Sequence, residues 1–180
     1  NAAAADLPPL SDEIMAEVVA AYHRLAEYGE KMGLGALAYE MTSVPRETCA
    51  TFAENDDVLQ RCSDMAIPMR VCLDMGHRHL AGTSEEADHL AWIRRYGKRC
   101  DVIDCQQTDL TASRHWPFTP EYNEKGVIRG DQIVSAIEAS EADEVLLALE
   151  IKTPAYHPQE YNHLDRLRAS VEYWRQWVVE

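Results

Sequence analysis

The chain alternates segments of helical periodicity with short apolar runs. Ser11, Asp12 and Glu13 form a helix start, and apolar residues then recur every three or four positions to about Met32. This spacing predicts an amphipathic helix. Further helices are predicted over about 54–66, 83–96, 131–140 and 159–178.

The predicted helices have apolar faces that should pack inward. Thr83 and Glu86 have the spacing of a capping box, which places a helix start at residue 83. The residues expected to face the core are Val58, Cys62 and Met65 in the second helix, Ala87, Leu90 and Ala91 in the third, and Leu164, Leu167, Val171, Trp174 and Val178 in the last.

Four apolar runs between the helices read as buried strands. They are LGALAYE (34–40), RVCLD (70–74), CDVIDCQQ (100–107) and EVLLALE (144–150). Short continuous apolar runs that alternate with helices are typical of a parallel sheet covered by helices. The sequence therefore predicts an α/β fold with four βα units.

A polar residue stands where each predicted strand ends: Glu40, Asp74, Gln106 and Glu150. The carboxyl ends of parallel strands meet at one edge, where α/β proteins build their sites. A strand-end acid also forms turns, so each residue alone has a plain structural explanation. Their occurrence at four successive strand ends favours a shared site.

Composition narrows the class of partner. A net charge of −14 argues against nucleic acid, which requires a basic face. No apolar run approaches the length of a membrane span, and NAAAAD resembles a tag or frayed start rather than a secretory signal. The five cysteines form no C-x-x-C pair, which favours reduced, mostly buried thiols in a cytoplasmic protein.

Four motifs, ALAYEMTSVPRE, VCLDMGH, DVIDCQQTD and LLALE, resemble the xylose isomerase-like barrels of the sugar and sugar-phosphate isomerase/epimerase group. Within it they are most similar to tetrulose-phosphate epimerases and isomerases of the erythritol-catabolism type. The resemblance covers residues 11–180, with 1–10 left as a tag or disordered start. It implies a (β/α)₈ TIM barrel, of which this chain supplies about four C-terminal βα units.

The resemblance implies a divalent metal held by Glu40, Asp74, Gln106 and Glu150. Gln106 stands where relatives often have histidine, and three carboxylates with an amide favour Mn²⁺ or Mg²⁺, with Zn²⁺ or Co²⁺ possible. Glu40 and Glu150 would be the two acid/base groups that move a proton beside a ketose carbonyl through an enediolate.

Substrate contacts are predicted from the resemblance and from the long loop after Gln106. His77 matches a position that binds a substrate hydroxyl, although it could also pin its own loop. Arg114 and His115 are candidates for a hydroxyl or phosphate, with a loop staple formed by Trp116-Pro117-Phe118 as the alternative. Arg46 could reach an anionic substrate or form a local salt bridge.

The leading hypothesis is a metal-assisted isomerase or epimerase acting on a small sugar or tetrulose phosphate. The alternatives are a sugar-acid dehydratase on the same scaffold and an inactive barrel fragment acting in assembly. An isolated half-barrel would expose sheet edges and an apolar face, which favours a homo-oligomer.

Overall fold

Strands and helices alternate in the predicted order in a computed structural model of the chain, which describes residues 10–44, 47–77, 83–152 and 162–178. The helices are α1 (Asp12–Lys31), α2 (Phe52–Arg61), α3 (His89–Tyr96), α4 (Pro120–Lys125), α5 (Gly130–Ala139) and α6 (His163–Trp174), with a 3₁₀ turn at Gly97–Arg99. The strands are β1 (Leu37–Glu40), β2 (Met69–Asp74), β3 (Cys100–Cys105) and β4 (Leu146–Leu149). The predicted α/β class with four βα units is confirmed.

The sheet has the order β1-β2-β3-β4. The chain divides into two units, residues 1–72 with 79–88 and residues 73–78 with 89–180, and the division falls within β2. Each unit contains a parallel strand pair, β1 with β2 in the first and β3 with β4 in the second. The prediction of a parallel sheet is therefore confirmed.

In the first unit, α1 lies against β1. The Ser11 side chain accepts a hydrogen bond from the Ile14 N–H, which caps α1 as predicted. The Tyr22 ring stacks on Tyr39 with centroids 6.3 Å apart. The Tyr39 hydroxyl in turn donates to Asn55 of α2 at 2.9 Å. This buried hydrogen bond fixes β1 relative to the helix that follows it.

In the second unit, the loop after β3 is held against α6 by aromatic contacts. Phe118, which is 1% exposed, stacks on Tyr173 at 5.3 Å and meets the edge of Trp174 at 5.1 Å. The Phe118 N–H donates to the Ser170 hydroxyl at 2.9 Å. These contacts form the loop staple, and the long loop also contains α4, a helix that the sequence pattern did not predict.

The predicted start of the third helix was wrong. Thr83 and Glu86 do form reciprocal capping contacts, but the helix begins only at His89, and Ala87 is exposed. One oxygen of the buried Glu86 carboxylate accepts from the Phe52 N–H at 2.5 Å. Thr83 and Glu86 therefore form a turn before α3, and Glu86 also caps the first turn of α2.

Two other helices differ from their predicted bounds or faces. Helix α2 begins at Phe52 and ends at Arg61, so Met65 lies beyond its end. In α6, Leu164 and Val171 are exposed, whereas Ser170 and Trp174 are buried. The contacts with Phe118 turn the side of α6 that carries Ser170 and Trp174 inward. The prediction that Leu164 and Val171 face the core was therefore wrong.

All five cysteines are free, and every one except the half-buried Cys72 is buried, as predicted. Burial raises the pKa of the Cys49 thiol to about 12. Among the described residues, no helix combines the length and apolar character needed to cross a bilayer.

Candidate functional site

The ends of β2, β3 and β4 come together in the second unit. The Met75 N–H, one residue past β2, donates to the Asp104 carbonyl of β3 at 3.0 Å. The Glu150 N–H, one residue past β4, donates to the Cys105 carbonyl at 3.1 Å. These bonds bring three of the predicted strand-end residues, Asp74, Gln106 and Glu150, to one edge of the sheet.

Asp74 is completely buried and its carboxylate accepts several hydrogen bonds. The Gly76 N–H donates to Oδ1 at 2.6 Å, and the Gln106 amide nitrogen lies 3.0 Å from both carboxylate oxygens. His77 Nε2 lies 3.1 Å from Oδ2. Asp74 thus forms a strand-end turn and also belongs to a polar cluster, and its role in a shared site stays a prediction.

Gln106, also completely buried, connects Asp74 to the following loop. Its amide oxygen accepts from the His115 N–H at 2.6 Å, and the Ser113 hydroxyl lies 3.2 Å from that oxygen and 3.0 Å from the amide nitrogen. His115 has a positive φ of 50°, an uncommon conformation outside glycine. In this conformation its N–H meets Gln106 while its ring meets Glu150.

The His115 ring lies between Glu150 and Lys152. Its Nδ1 is 3.2 Å from the Glu150 carbonyl oxygen and 3.3 Å from Oε2 of the same residue. Its Nε2 is 3.0 Å from the Ser113 hydroxyl and 3.1 Å from Lys152 Nζ. The Lys152 ammonium is also 2.7 Å from Glu150 Oε1.

These contacts set the charge of both groups. Burial lowers the pKa of His115, and the Lys152 charge lowers it further against the opposing effect of Glu150. Burial alone would raise the pKa of Glu150, but the Lys152 hydrogen bond and the neighbouring positive charges outweigh it and lower the pKa. The Glu150 carboxylate is therefore ionised at neutral pH, beside the Lys152 ammonium.

Lys152 and Ser113 were not predicted from the sequence. Lys152 stands two residues beyond the strand-end acid, a spacing that places a cation near the end of β4 without indicating its partner. The backbone N–H of Lys152 donates to the His115 carbonyl at 3.1 Å, which ties the chain after β4 to the loop after β3.

Arg114 is held by an acid of its own loop. Its Nε and one terminal nitrogen donate to the two oxygens of Asp109, both at 3.1 Å, and its guanidinium lies 5.4 Å from the Trp116 ring centroid. The Arg114 hydrogen bond and charge hold the pKa of Asp109 down at about 2. Contact of Arg114 with substrate stays a prediction. Any such contact would compete with the ion pair between Arg114 and Asp109.

Replacing Asp109 with Asn is expected to lower the free energy of unfolding by about 0.5–1 kcal/mol at pH 7, the usual range for an exposed ion pair. Because folding lowers the Asp109 pKa from 3.8 to about 2, the stabilisation is present above the unfolded value and is lost as pH falls through about 2. Urea unfolding at pH 7 and pH 2 measures this difference. Equal stability of the two proteins at pH 7 would contradict it.

The remaining predicted residues stand as follows. Glu40 is the last residue of β1 in the first unit, where it pairs in register with Cys72, two residues before Asp74. Arg46 lies outside the described residues.

Comparisons with known proteins give one consistent family. The family model described as Xylose isomerase-like TIM barrel matches residues 2–177. D-erythrulose 1-phosphate 3-epimerase of Brucella abortus is 26% identical over 172 residues, which cover 94% of this chain and 56% of that protein.

Two solved structures are similar in fold. A Rhodospirillum rubrum protein named as a candidate xylose isomerase is 24% identical with a TM-score of 0.78, over 93% of this chain and 56% of that one. A structure of the IolI protein with a bound zinc atom is 18% identical with a TM-score of 0.64, over 98% and 62%. The chain thus spans little more than half the length of these proteins.

Proposed function

Because the chain belongs to the xylose isomerase-like TIM barrel family, we propose that it carries the cation-binding strand ends of a sugar isomerase or epimerase. The proposed reaction moves a proton at a carbon beside a ketose carbonyl. Support comes from the strand-end cluster and from the relative that acts as a D-erythrulose 1-phosphate 3-epimerase.

The observation that carries the proposal is the convergence of two acids. The backbone bonds from Met75 to Asp104 and from Glu150 to Cys105 bring Asp74 and Glu150 to one edge of the sheet, and Asp74 is among the groups that lower the pKa of Glu150. Two ionised carboxylates that meet at one sheet edge repel each other unless a proton or a cation lies with them. A cation site at the strand ends satisfies both groups.

The donor set fits a divalent ion. Asp74 and Glu150 offer carboxylate oxygens, and Glu40 is proposed as the third carboxylate. Carboxylate oxygens favour Mn²⁺ or Mg²⁺, and Zn²⁺ or Co²⁺ also bind them. The zinc atom in the IolI structure supports a divalent metal in this fold without identifying the ion used here.

The residues of the chain would then act as follows. Glu150 accepts the proton from the carbon beside the carbonyl, with its carboxylate held by Lys152 and His115. Glu40 returns a proton to the opposite face, which inverts the centre, or a proton returns to the neighbouring carbon, which isomerises the sugar. His77 contacts a substrate hydroxyl. A bound divalent ion would supply positive charge for the oxygens of the enediolate.

The proposed substrate is a small ketose or ketose phosphate. Lys152, whose side chain is 60% exposed, places an ammonium group beside the candidate base. An ammonium group at this position can contact a hydroxyl or phosphate oxygen of the substrate. The phosphorylated tetrulose named for the Brucella abortus relative is therefore the first compound to test.

Proton exchange tests the proposal. The full chain is incubated in D₂O with MnCl₂ and D-erythrulose 1-phosphate, and deuterium at the carbons beside the carbonyl is followed by NMR. Incorporation of deuterium with a change of configuration or carbonyl position is the expected result. Loss of water would favour a dehydratase, and the absence of both reactions would favour a barrel fragment acting in assembly.

A methyl group at Gly76 is expected to disturb the cluster. A Cβ there would lie 2.0 Å from Gln106 Cδ, and Gly126→Ala is a matched control because its Cβ would lie 2.0 Å from Gln107 Oε1. Both variants should lose about 1–3 kcal/mol of stability through overpacking, measured by urea unfolding. Only Gly76→Ala should weaken Mn²⁺ binding in titration calorimetry; equal Mn²⁺ affinity in the two variants would contradict this account.

A further inference from the structure

Gln106 is a strand-end residue whose amide contacts both Asp74 and the loop after β3. We propose that Gln106 is a positioning residue: its amide nitrogen orients the Asp74 carboxylate, its amide oxygen fixes the loop at His115, and that oxygen is not a cation ligand. The statement about the cation rests on the proposed function. It leaves the strand-end carboxylates, without Gln106, to hold the ion.

The orientation of the amide follows from its partners. The nearest contact of the Gln106 side chain is the His115 backbone N–H at 2.6 Å, and a backbone N–H can only donate. The atom that faces it is therefore the oxygen, and the nitrogen faces Asp74. Turning the amide around would set two donors against each other at one end and two acceptors at the other.

The packing around Gln106 leaves little room for another orientation. The side chain is completely buried, and the Gly76 backbone lies so close that even a Cβ would meet Gln106 Cδ at 2.0 Å. For the amide oxygen to reach a cation held by Asp74, it would have to turn away from the His115 N–H, which would then lose this acceptor. The nitrogen that points at Asp74 carries protons and cannot bind a cation.

Gln107 provides a matched control in the next position of the chain. It is equally buried, and its amide oxygen accepts from the Ile128 N–H at 2.9 Å. Its nitrogen donates to Asn123 Oδ1 and to the Ile128 carbonyl, both at 3.0 Å. Gln107 thus ties a loop in the same way without contact to Asp74.

Hydrogen exchange of single amides, measured by NMR on the cation-free full chain, separates the two glutamines. Gln106→Met should speed exchange of the His115 amide about tenfold, the effect of losing one hydrogen bond, and leave the Ile128 amide unchanged. Gln107→Met should do the reverse. Unchanged exchange at His115 in Gln106→Met would overturn the proposal.

Gln106→Glu separates the two ends of the amide. A carboxyl group at this position still offers an oxygen to the His115 N–H, so protection of that amide should persist, while its other oxygen meets the Asp74 carboxylate with a shared proton or with repulsion in place of the amide donor. Should Gln106→Met fail to fold, this variant and the wild type still decide the question. Loss of His115 protection in Gln106→Glu would overturn the assignment of the oxygen.

Adding MgCl₂ to the wild type tests the cation directly. The His115 amide should stay protected at saturation, whereas exchange as fast as in Gln106→Met would show that the oxygen has moved to the ion and would overturn the proposal. Titration calorimetry with MnCl₂ should give a dissociation constant about tenfold higher in Gln106→Met and unchanged in Gln107→Met. If neither Mg²⁺ nor Mn²⁺ binds the wild type, the proposed cation site is wrong. The exchange experiment on the cation-free chain still decides whether Gln106 holds the loop at His115.

Discussion

Glu150→Gln is expected to slow deuterium exchange into the ketose substrate by about 10²- to 10⁴-fold, the usual contribution of a positioned acid or base. The amide keeps the shape of the side chain but cannot accept the proton. The rate is measured by NMR in D₂O at saturating substrate and MnCl₂. If the proposed site is right, the variant loses exchange activity while it stays folded.

Glu121→Gln is the matched control for this experiment. Glu121 pairs with Lys125 at 2.7 Å, the same separation as that between Glu150 and Lys152, but it lies in α4 on the surface. The control should exchange substrate protons at the wild-type rate. A Glu150→Gln protein that also kept the wild-type rate would remove Glu150 from the chemistry.

Asp74→Asn is expected to raise the dissociation constant for Mn²⁺ at least about a hundredfold, beyond the usual effect of residues outside the coordination shell. The substitution removes a buried negative charge, and the new amide would direct a donor toward the Gln106 nitrogen. Titration calorimetry measures the affinity, and circular dichroism checks that the variant is folded.

Asp165→Asn is the control for the loss of one negative charge. Asp165 is 74% exposed and pairs with Arg168 on α6. Its replacement should leave Mn²⁺ affinity unchanged. Wild-type affinity in Asp74→Asn would show that the buried carboxylate does not hold the ion.

The architecture was predictable because burial on both faces leaves continuous apolar runs, and each of the four runs proved to be a strand. The family resemblance drawn from the four motifs is confirmed by the match over residues 2–177. The acids were found for the same reason, since Asp74 ends β2 and Glu150 follows β4. The polar residue that follows an apolar run can be read directly from the sequence.

The contacts among the site residues were not predictable. The positive φ of His115 depends on how its loop closes, and that conformation sets which Gln106 atom faces Asp74. Lys152 likewise acquires its partners only when the chain after β4 meets that loop. These features depend on tertiary contacts, which hydrophobic periodicity does not encode.

Anomalous diffraction at the manganese edge, from crystals of the full chain grown with MnCl₂, tests the central claim most directly. The account predicts one manganese peak at the strand ends, bound by carboxylate oxygens of Glu40, Asp74 and Glu150. Crystals with no manganese at these side chains, or with their carboxyl groups directed to separate places, would contradict it.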